Sequence, residues 1–423
     1  MTDESHLNEN LSEVLFKPQR TSLETSLISN SGCPLPDIDY ALQSHFGFQK
    51  NWYRPVNRFY WTWLGGNLLD IDEALSNIAV STNKRTRPQC LDTVEEYGPG
   101  NWIYEFSAIA QKRVLMAGKA GDPELKAHHL RLASRYFAIA AYPNLKGDVL
   151  AAEAAMHSRR HYREVFETSK VCGYYSTETF DYKGSKINAY LHSPDNTELH
   201  PCVVVVCSYE QSCTDYFRFF NDYLRPHGMA VLVIEMPGLG SCANIKLDAS
   251  CSDFIQAAVE HIDKLPFIDS SNIGIFAGGL AALAALRLAI LQPALLKGVS
   301  VVNPIIDNVF NHPEVMMNVP LCLRSSFANR MDLDASNWDT VVPQTQIFSL
   351  KKQGLLTAVA KLNTPVLCHY IKELKITAED AKLIERSFKN ADCRPLETAD
   401  VSGGSFQTFK RTTEFFIKRF GLN

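Results

Sequence analysis

Ser271–Arg287 reads SNIGIFAGGLAALAALR, and this stretch decides the fold. Ile273-Gly274-Ile275-Phe276 is a short apolar run that suits a buried strand, Ala277-Gly278-Gly279-Leu280-Ala281 is a glycine turn, and the remainder is an apolar helix. Strand, sharp turn and helix in that order form a nucleophile elbow, which raises an attacking side chain above the end of a sheet. The centre of the turn should carry Ser, Cys or Asp, but it carries Gly279. Glycine takes the strained backbone of an elbow at little cost and has nothing with which to attack a carbonyl carbon. The shape is expected to persist without the nucleophile.

Outward from this turn lie further short, β-branched runs, each followed by a helical stretch. Cys202–Cys207, Ala230–Met236, Gly298–Val302 and Pro365–Tyr370 are expected strands, and continuous apolar runs of this length suit a parallel sheet covered on both faces. Helices are expected from Tyr216, Ser252, Leu280 and Thr408. Before them, Thr177–Tyr182 and Ile187–Leu191 flank Lys183-Gly184 and predict an antiparallel hairpin. A hairpin leading into a doubly wound, mostly parallel sheet is the order of an α/β-hydrolase fold. Upstream, Leu130–Ala141 and Ala151–Glu167 read as helices, with prolines at Pro55, Pro99 and Pro143. The expected organisation is an N-terminal helical region over residues 1–168 and an α/β-hydrolase domain over 169–423, with the boundary near Ser169.

A chain of 423 residues exceeds one compact core, in keeping with that division. A net charge of −4 without a dense basic stripe gives no support to nucleic-acid binding. Eleven cysteines, an odd number with no CxxC pair, suit a reducing compartment. The polar Met1–Asn10 stretch lacks the apolar core of a secretory signal, so a cytoplasmic location is expected. Leu280–Val302 is interrupted by Arg287, Gln292, Pro293 and Lys297, whereas a membrane span needs about 20 nearly unbroken apolar residues. No membrane association is expected.

A hydrolytic triad on this fold needs an acid after a later strand and a histidine after the last one. No histidine follows His369, which itself lies in the apolar run Val366–Tyr370 and reads as a satisfied core or edge residue. The base expected near Gly403-Gly404-Ser405 is missing. Glu373 reads as a solvated charge, and His312 has no evident partner. The loop Cys207–Asp215 should form the oxyanion side of a pocket, and Ser208 and Cys207 are its weak alternative nucleophiles, beside Glu210. The simpler reading is that Ser208, Ser212 and Thr214 make turn and cap hydrogen bonds, with Asp215 opening the next helix. The candidate pocket is Ser208, Tyr209, Glu210, Gly238, Gly278, Gly279 and Leu280, with Gly238-Leu239-Gly240 as a strand-to-loop turn lining it. His157 and His161 have metal-ligand spacing, but Ser158-Arg159-Arg160 supplies no acid, so they read as one face of an exposed amphipathic helix. Neither a metal nor a cofactor is expected.

Beyond fold, the residues resemble a family along nearly the whole chain. Asn10-Leu11-Ser12-Glu13 with Leu15-Phe16, Trp52-Tyr53-Arg54, Gly100–Glu105, Ala140–Pro143 with Leu145–Asp148, Thr214-Asp215, Met236-Pro237 with Gly240, and Ser349–Lys351 with Gln353-Gly354 carry the resemblance. The chain is similar to the fermentation–respiration switch protein FrsA family of esterases. That resemblance implies carboxylic-ester hydrolysis, a cytosolic protein, and association with the glucose-specific IIA protein of the sugar phosphotransferase system. It also implies an arginine where Gly279 stands, so the elbow has lost a cation with five donors. Ser208-Tyr209-Glu210 replaces Gly-Leu-Asp, leaving two roles for Tyr209: filling the cavity or offering a hydroxyl. Glu235-Met236-Pro237-Gly238 stands for Asp-Met-Pro-Ser, and Glu373-Leu374-Lys375 stands where Gly-Asp-Pro follows the penultimate strand. A degenerate catalytic site in a regulator or partner-binding protein of carbon metabolism is the expectation, with an ester or carboxylate ligand. The alternative is ester hydrolysis at a non-standard site.

Overall fold

The computed structural model describes residues 47–356, 361–397 and 404–422. The Asn10–Phe16 matches and Gly403 lie outside the described residues.

Five helices precede the sheet: α1 (Arg58–Trp63), α2 (Leu68–Val80), α3 (Trp102–Lys119), α4 (Pro123–Ala141) and α5 (Val149–Thr168). All five start where sequence supplies a cap. The side chains of Asn57, Asn67, Asn101, Asp122 and Asp148 accept the free N–H groups of α1 to α5, each worth about 1 kcal/mol. Trp102, Phe106 and Tyr136 form a fully buried aromatic centre among α2, α3 and α4.

The sheet has eight strands in the order β1-β2-β4-β3-β5-β6-β7-β8. β1 (Tyr174–Tyr182) and β2 (Ser185–Ser193) form the expected hairpin, with Lys183 at φ 48° and Gly184 at φ 77°, the two positive angles a two-residue turn requires. β2 runs antiparallel to β4 (Ala230–Glu235). β3 (His200–Cys207), β5 (Ile268–Gly278), β6 (Gly298–Val302), β7 (Val366–Tyr370) and β8 (Ala391–Pro395) continue in parallel. Val203–Val206 have no exposed surface because the sheet is covered on both faces. α6 (Asp253–Ile262) and α7 (Ala281–Leu291) precede β5 and β6; α12 (Lys375–Ser387) and α13 (Ser405–Phe420) follow β7 and β8. This is the α/β-hydrolase arrangement.

Three elements depart from the sequence reading. β8 was not expected, because ADCRP is half polar, as befits an edge strand. The helix expected from Tyr216 is a 3₁₀ turn (Cys213–Tyr216), a π-helical turn (Phe219–Leu224) and a second 3₁₀ turn (Arg225–His227). Between β6 and β7 stands an insert of short helices, α8 (Asn308–Asn311), α9 (Pro313–Met317), α10 (Leu321–Arg330) and α11 (Trp338–Gln344). Pieces of four to ten residues carry too little periodicity to read.

The helical part is tied to the sheet by buried polar contacts. Arg135 of α4 pairs with Asp215, Arg330 Nη2 donates to the Pro143 carbonyl at 2.8 Å, and Tyr162 Oη lies 2.8 Å from His192 Nε2. Burial holds His192 down at about 3 and His369 at about 4, the latter helped by the nearby Arg411 charge. His369 is a core residue, but contrary to expectation neither ring nitrogen has a hydrogen-bond partner among the described residues. In the unfolded chain both histidines protonate near pH 6.5, so stability is full above that pH and is lost as the pH falls; to pH 5 each costs about 2 kcal/mol. Asp380 opposes them: burial raises its carboxyl to about 6, although N–H groups of residues 306–308 hold it down, and protonating it in the fold returns about 1 kcal/mol at pH 5. Urea unfolding at pH 7 and pH 5 should therefore show a net loss of about 2–3 kcal/mol, reduced by about 2 kcal/mol in His192→Gln. Equal losses in both proteins would contradict this assignment.

Candidate functional site

Gly279 adopts φ 54° between β5 and α7, in the left-handed region that an elbow demands. Its N–H donates to the Val302 carbonyl at 3.0 Å, and its own carbonyl accepts from Ile305 N–H at 3.1 Å. These bonds to the β6 end fix the turn without any side chain. A Cβ built on Gly279 would touch one heavy atom within 4 Å, Ser208 Oγ at 3.5 Å. Space for a side chain is present at the elbow and is left empty by the sequence.

That space belongs to a cavity of about 660 Å³, within the range of small-molecule sites. Ser208, Tyr209, Glu210, Gly278, Gly279 and Leu280 line it, as the sequence suggested they would be brought together. Gly238 does not: at φ 84° its Cα faces Arg330, and an added Cβ would fall 2.5 Å from Arg330 Cγ. It is a packing glycine behind the pocket wall, and this corrects the sequence reading. Of its turn, Leu239 instead lines a side chamber of about 80 Å³ that shares Tyr209, Glu210 and Asp215 with the main cavity.

Ser208 follows β3 and is 3 % exposed. Its N–H donates to Gln211 Oε1 at 3.1 Å, but its hydroxyl has no partner among the described residues. The expected turn hydrogen bonds are made at Ser208 by its backbone, whose carbonyl also accepts from Gln211 N–H at 3.1 Å, and downstream by side chains: Ser212 Oγ accepts from Thr214 N–H, and Asp215 accepts from Ser212 N–H at 3.1 Å, completing a capping box. Cys207 is fully buried at the end of β3, away from the cavity lining, and burial pushes its thiol well above the ordinary range. That rules against it as a nucleophile, since the thiolate is the reactive form. Tyr209 is 4 % exposed, its hydroxyl donates to the Pro237 carbonyl at 2.9 Å, and the Arg330 guanidinium lies 4.4 Å over its ring. The ring is a wall and the hydroxyl is committed to the backbone.

Sequence reasoning missed half of the walls. Phe48, Asn57, Tyr60 and Trp61 reach in from the N-terminal segment, and Met316, Ser326 and Trp338 from the insert. The dense aromatic run Phe59-Tyr60-Trp61-Thr62-Trp63 was the available signal. Ser326 resembles Ser208 in being buried, at 2 %, with an unpartnered hydroxyl. Among the described residues no Lys, Arg or His lines the main cavity, whereas Glu210 and Asp215 do. Glu373 and His312 are exposed and outside that lining. His161 is buried rather than exposed, stacked 6.2 Å from His157 with Phe137 beside both, and its Nδ1 lies 2.9 Å from Glu164 Oε2. No group of three metal-ligating side chains occurs among the described residues.

A family model described as Esterase FrsA-like matches residues 6–421. The chain belongs to the FrsA-like esterase family. Among its relatives, a protein named Esterase FrsA from Photobacterium profundum is 31 % identical over 422 residues, covering 98 % of this chain and 99 % of that one. A second of that name, from Serratia proteamaculans, is 33 % identical, covering 89 % and 91 %. Two solved structures share the fold at low identity. AbyA5 superposes with a TM-score of 0.67 at 16 % identity, covering 88 % of this chain and 96 % of its own. The 2,6-dihydroxy-pseudo-oxynicotine hydrolase gives 0.65 at 15 %, covering 85 % and 95 %. No helix among the described residues is long and apolar enough to cross a membrane.

Proposed function

We propose that this FrsA-like protein uses its elbow cavity to bind a neutral, largely apolar small molecule without triad-type hydrolysis, and that it acts as a regulator in carbon metabolism. One observation carries the reading: the elbow backbone and cavity are intact, while Gly279 brings no nucleophile and the Ser208 hydroxyl facing it has no base within hydrogen-bond reach. A buried hydroxyl left unpaired costs about 1–3 kcal/mol, and a ligand carbonyl accepting from Ser208 would recover part of it. The carboxylate ligand admitted by the sequence reading is disfavoured, because Asp215 is already paired with Arg135 and the described lining adds the Glu210 carboxylate and no cation. For the regulatory role, the resemblance supplies the glucose-specific IIA protein as the partner to test by pull-down, in its phosphorylated and unphosphorylated forms.

Ester hydrolysis is the second reading, supported by the name its relatives carry and by the position of Ser208 opposite the elbow. Hydrolysis of p-nitrophenyl butyrate by wild type, Ser208→Ala and Gly279→Ser separates the two. Binding without triad chemistry predicts rates within about twofold of one another, and Gly279→Ser gains nothing because a serine without a histidine remains weak. A rate abolished by Ser208→Ala in folded protein would establish the esterase reading instead.

A further inference from the structure

β7 and β8 place two cysteines opposite one another. Cys368 and Cys393 are register partners across the parallel ladder. Registered residues of neighbouring strands put their side chains on the same face, with backbones about 4.8 Å apart. A disulfide needs Cα atoms about 4.4–6.8 Å apart, so this register can be bridged with little backbone movement. The pair lies beneath α12, where the Cys393 thiol donates to the Ala381 carbonyl at 3.4 Å. Cys368 has no exposed surface, while Cys393, on the edge strand, is half-buried. One thiol is reachable by a small oxidant and the other is reachable only by its neighbour.

We propose that Cys393 and Cys368 form a reversible dithiol–disulfide site, with Cys393 as the reacting thiol, Cys368 as the resolving one, and a small hydroperoxide as oxidant. The Cys393 thiolate attacks the peroxide oxygen, breaking the O–O bond and giving Cys393 sulfenic acid and an alcohol or water. The Cys368 sulfur then attacks the Cys393 sulfur, forming the S–S bond and expelling water. Two thiols are oxidised by two electrons and one peroxide is reduced. The acid–base setting agrees with these roles: hydrogen bonding from Cys368 lowers the Cys393 thiol, and burial raises Cys368. Of the other described cysteines, Cys90, Cys172, Cys202, Cys207, Cys213, Cys242, Cys251 and Cys322 are all buried.

Oxidation would join β7 and β8 just before Ile371 and Leu396, which line the main cavity. The site stands independently of what that cavity binds.

The test is peptide mapping of the full chain after hydrogen peroxide treatment and alkylation of remaining thiols under denaturing conditions. The expected result is a Cys368–Cys393 linked peptide, two mass units below the sum of its reduced parts, that disappears on reduction. Cys368→Ala should instead leave Cys393 as a sulfenic acid trapped by dimedone, and Cys393→Ala should leave Cys368 unmodified. Wild-type protein in which both thiols remain fully alkylatable, or in which Cys393 is oxidised to sulfinic acid without the linked peptide, would overturn the proposal.

Discussion

Arg135→Ala is expected to lower the unfolding free energy by about 3–5 kcal/mol, the cost of leaving one member of a buried ion pair alone. Arg135 and Asp215 are less than a tenth exposed, and the pair joins α4 to the loop that carries Ser208. Asp215 also caps the turn through Ser212 N–H, so its displacement loosens the cavity wall as well as the interface. Guanidinium unfolding measures the effect, and a double-mutant cycle with Asp215→Ala identifies its source. The double variant should be markedly less destabilised than the sum of the singles, because no unpaired charge then remains. Strict additivity would mean that the two residues act through different contacts.

A comparable loss, about 3–5 kcal/mol, is expected for Asp92→Ala. Asp92 has no exposed surface, accepts from the N–H groups of Tyr53 and Arg54 at 2.8 and 2.9 Å, and pairs with Arg54 Nη1 at 3.3 Å. Removing it strands a fully buried guanidinium, whose Nε bond to the Tyr142 carbonyl does not neutralise it. The same carboxylate fixes the segment that brings Phe48, Pro55 and Asn57 to the cavity. Limited proteolysis of the variant should therefore open cleavage within residues 47–57 before the sheet is cut. Asp92→Asn, which keeps an acceptor but loses the charge, should fall between the variant and wild type. Full stability in both would show that Arg54 finds another partner.

The sheet was legible because its strands are self-declaring: Cys202–Cys207 and Ala230–Ile234 are unbroken apolar runs rich in valine, and Lys183-Gly184 can adopt the two positive angles of a tight turn. The elbow was legible for the same reason, since a glycine pair between a strand and an apolar helix has few conformational choices. The cavity was legible only on the side where loops leave strands. Its other walls come from Phe48, Tyr60 and Trp61, more than 140 residues before Ser208, and from an insert whose helices are too short for periodicity. Such long-range closure depends on packing that local pattern does not encode. Gly238 misled because positive-φ glycines serve close packing as readily as ligand approach, and here the approaching group is Arg330.

Calorimetric titration with a medium-chain methyl ester tests the central claim most directly, because one trace reports both binding and turnover. Saturable heats that return to baseline after each injection, weakened about 5- to 10-fold in Ser208→Ala by loss of a hydrogen bond worth about 1 kcal/mol, are the predicted result. A continuing heat of hydrolysis after each injection, lost in Ser208→Ala, would contradict it.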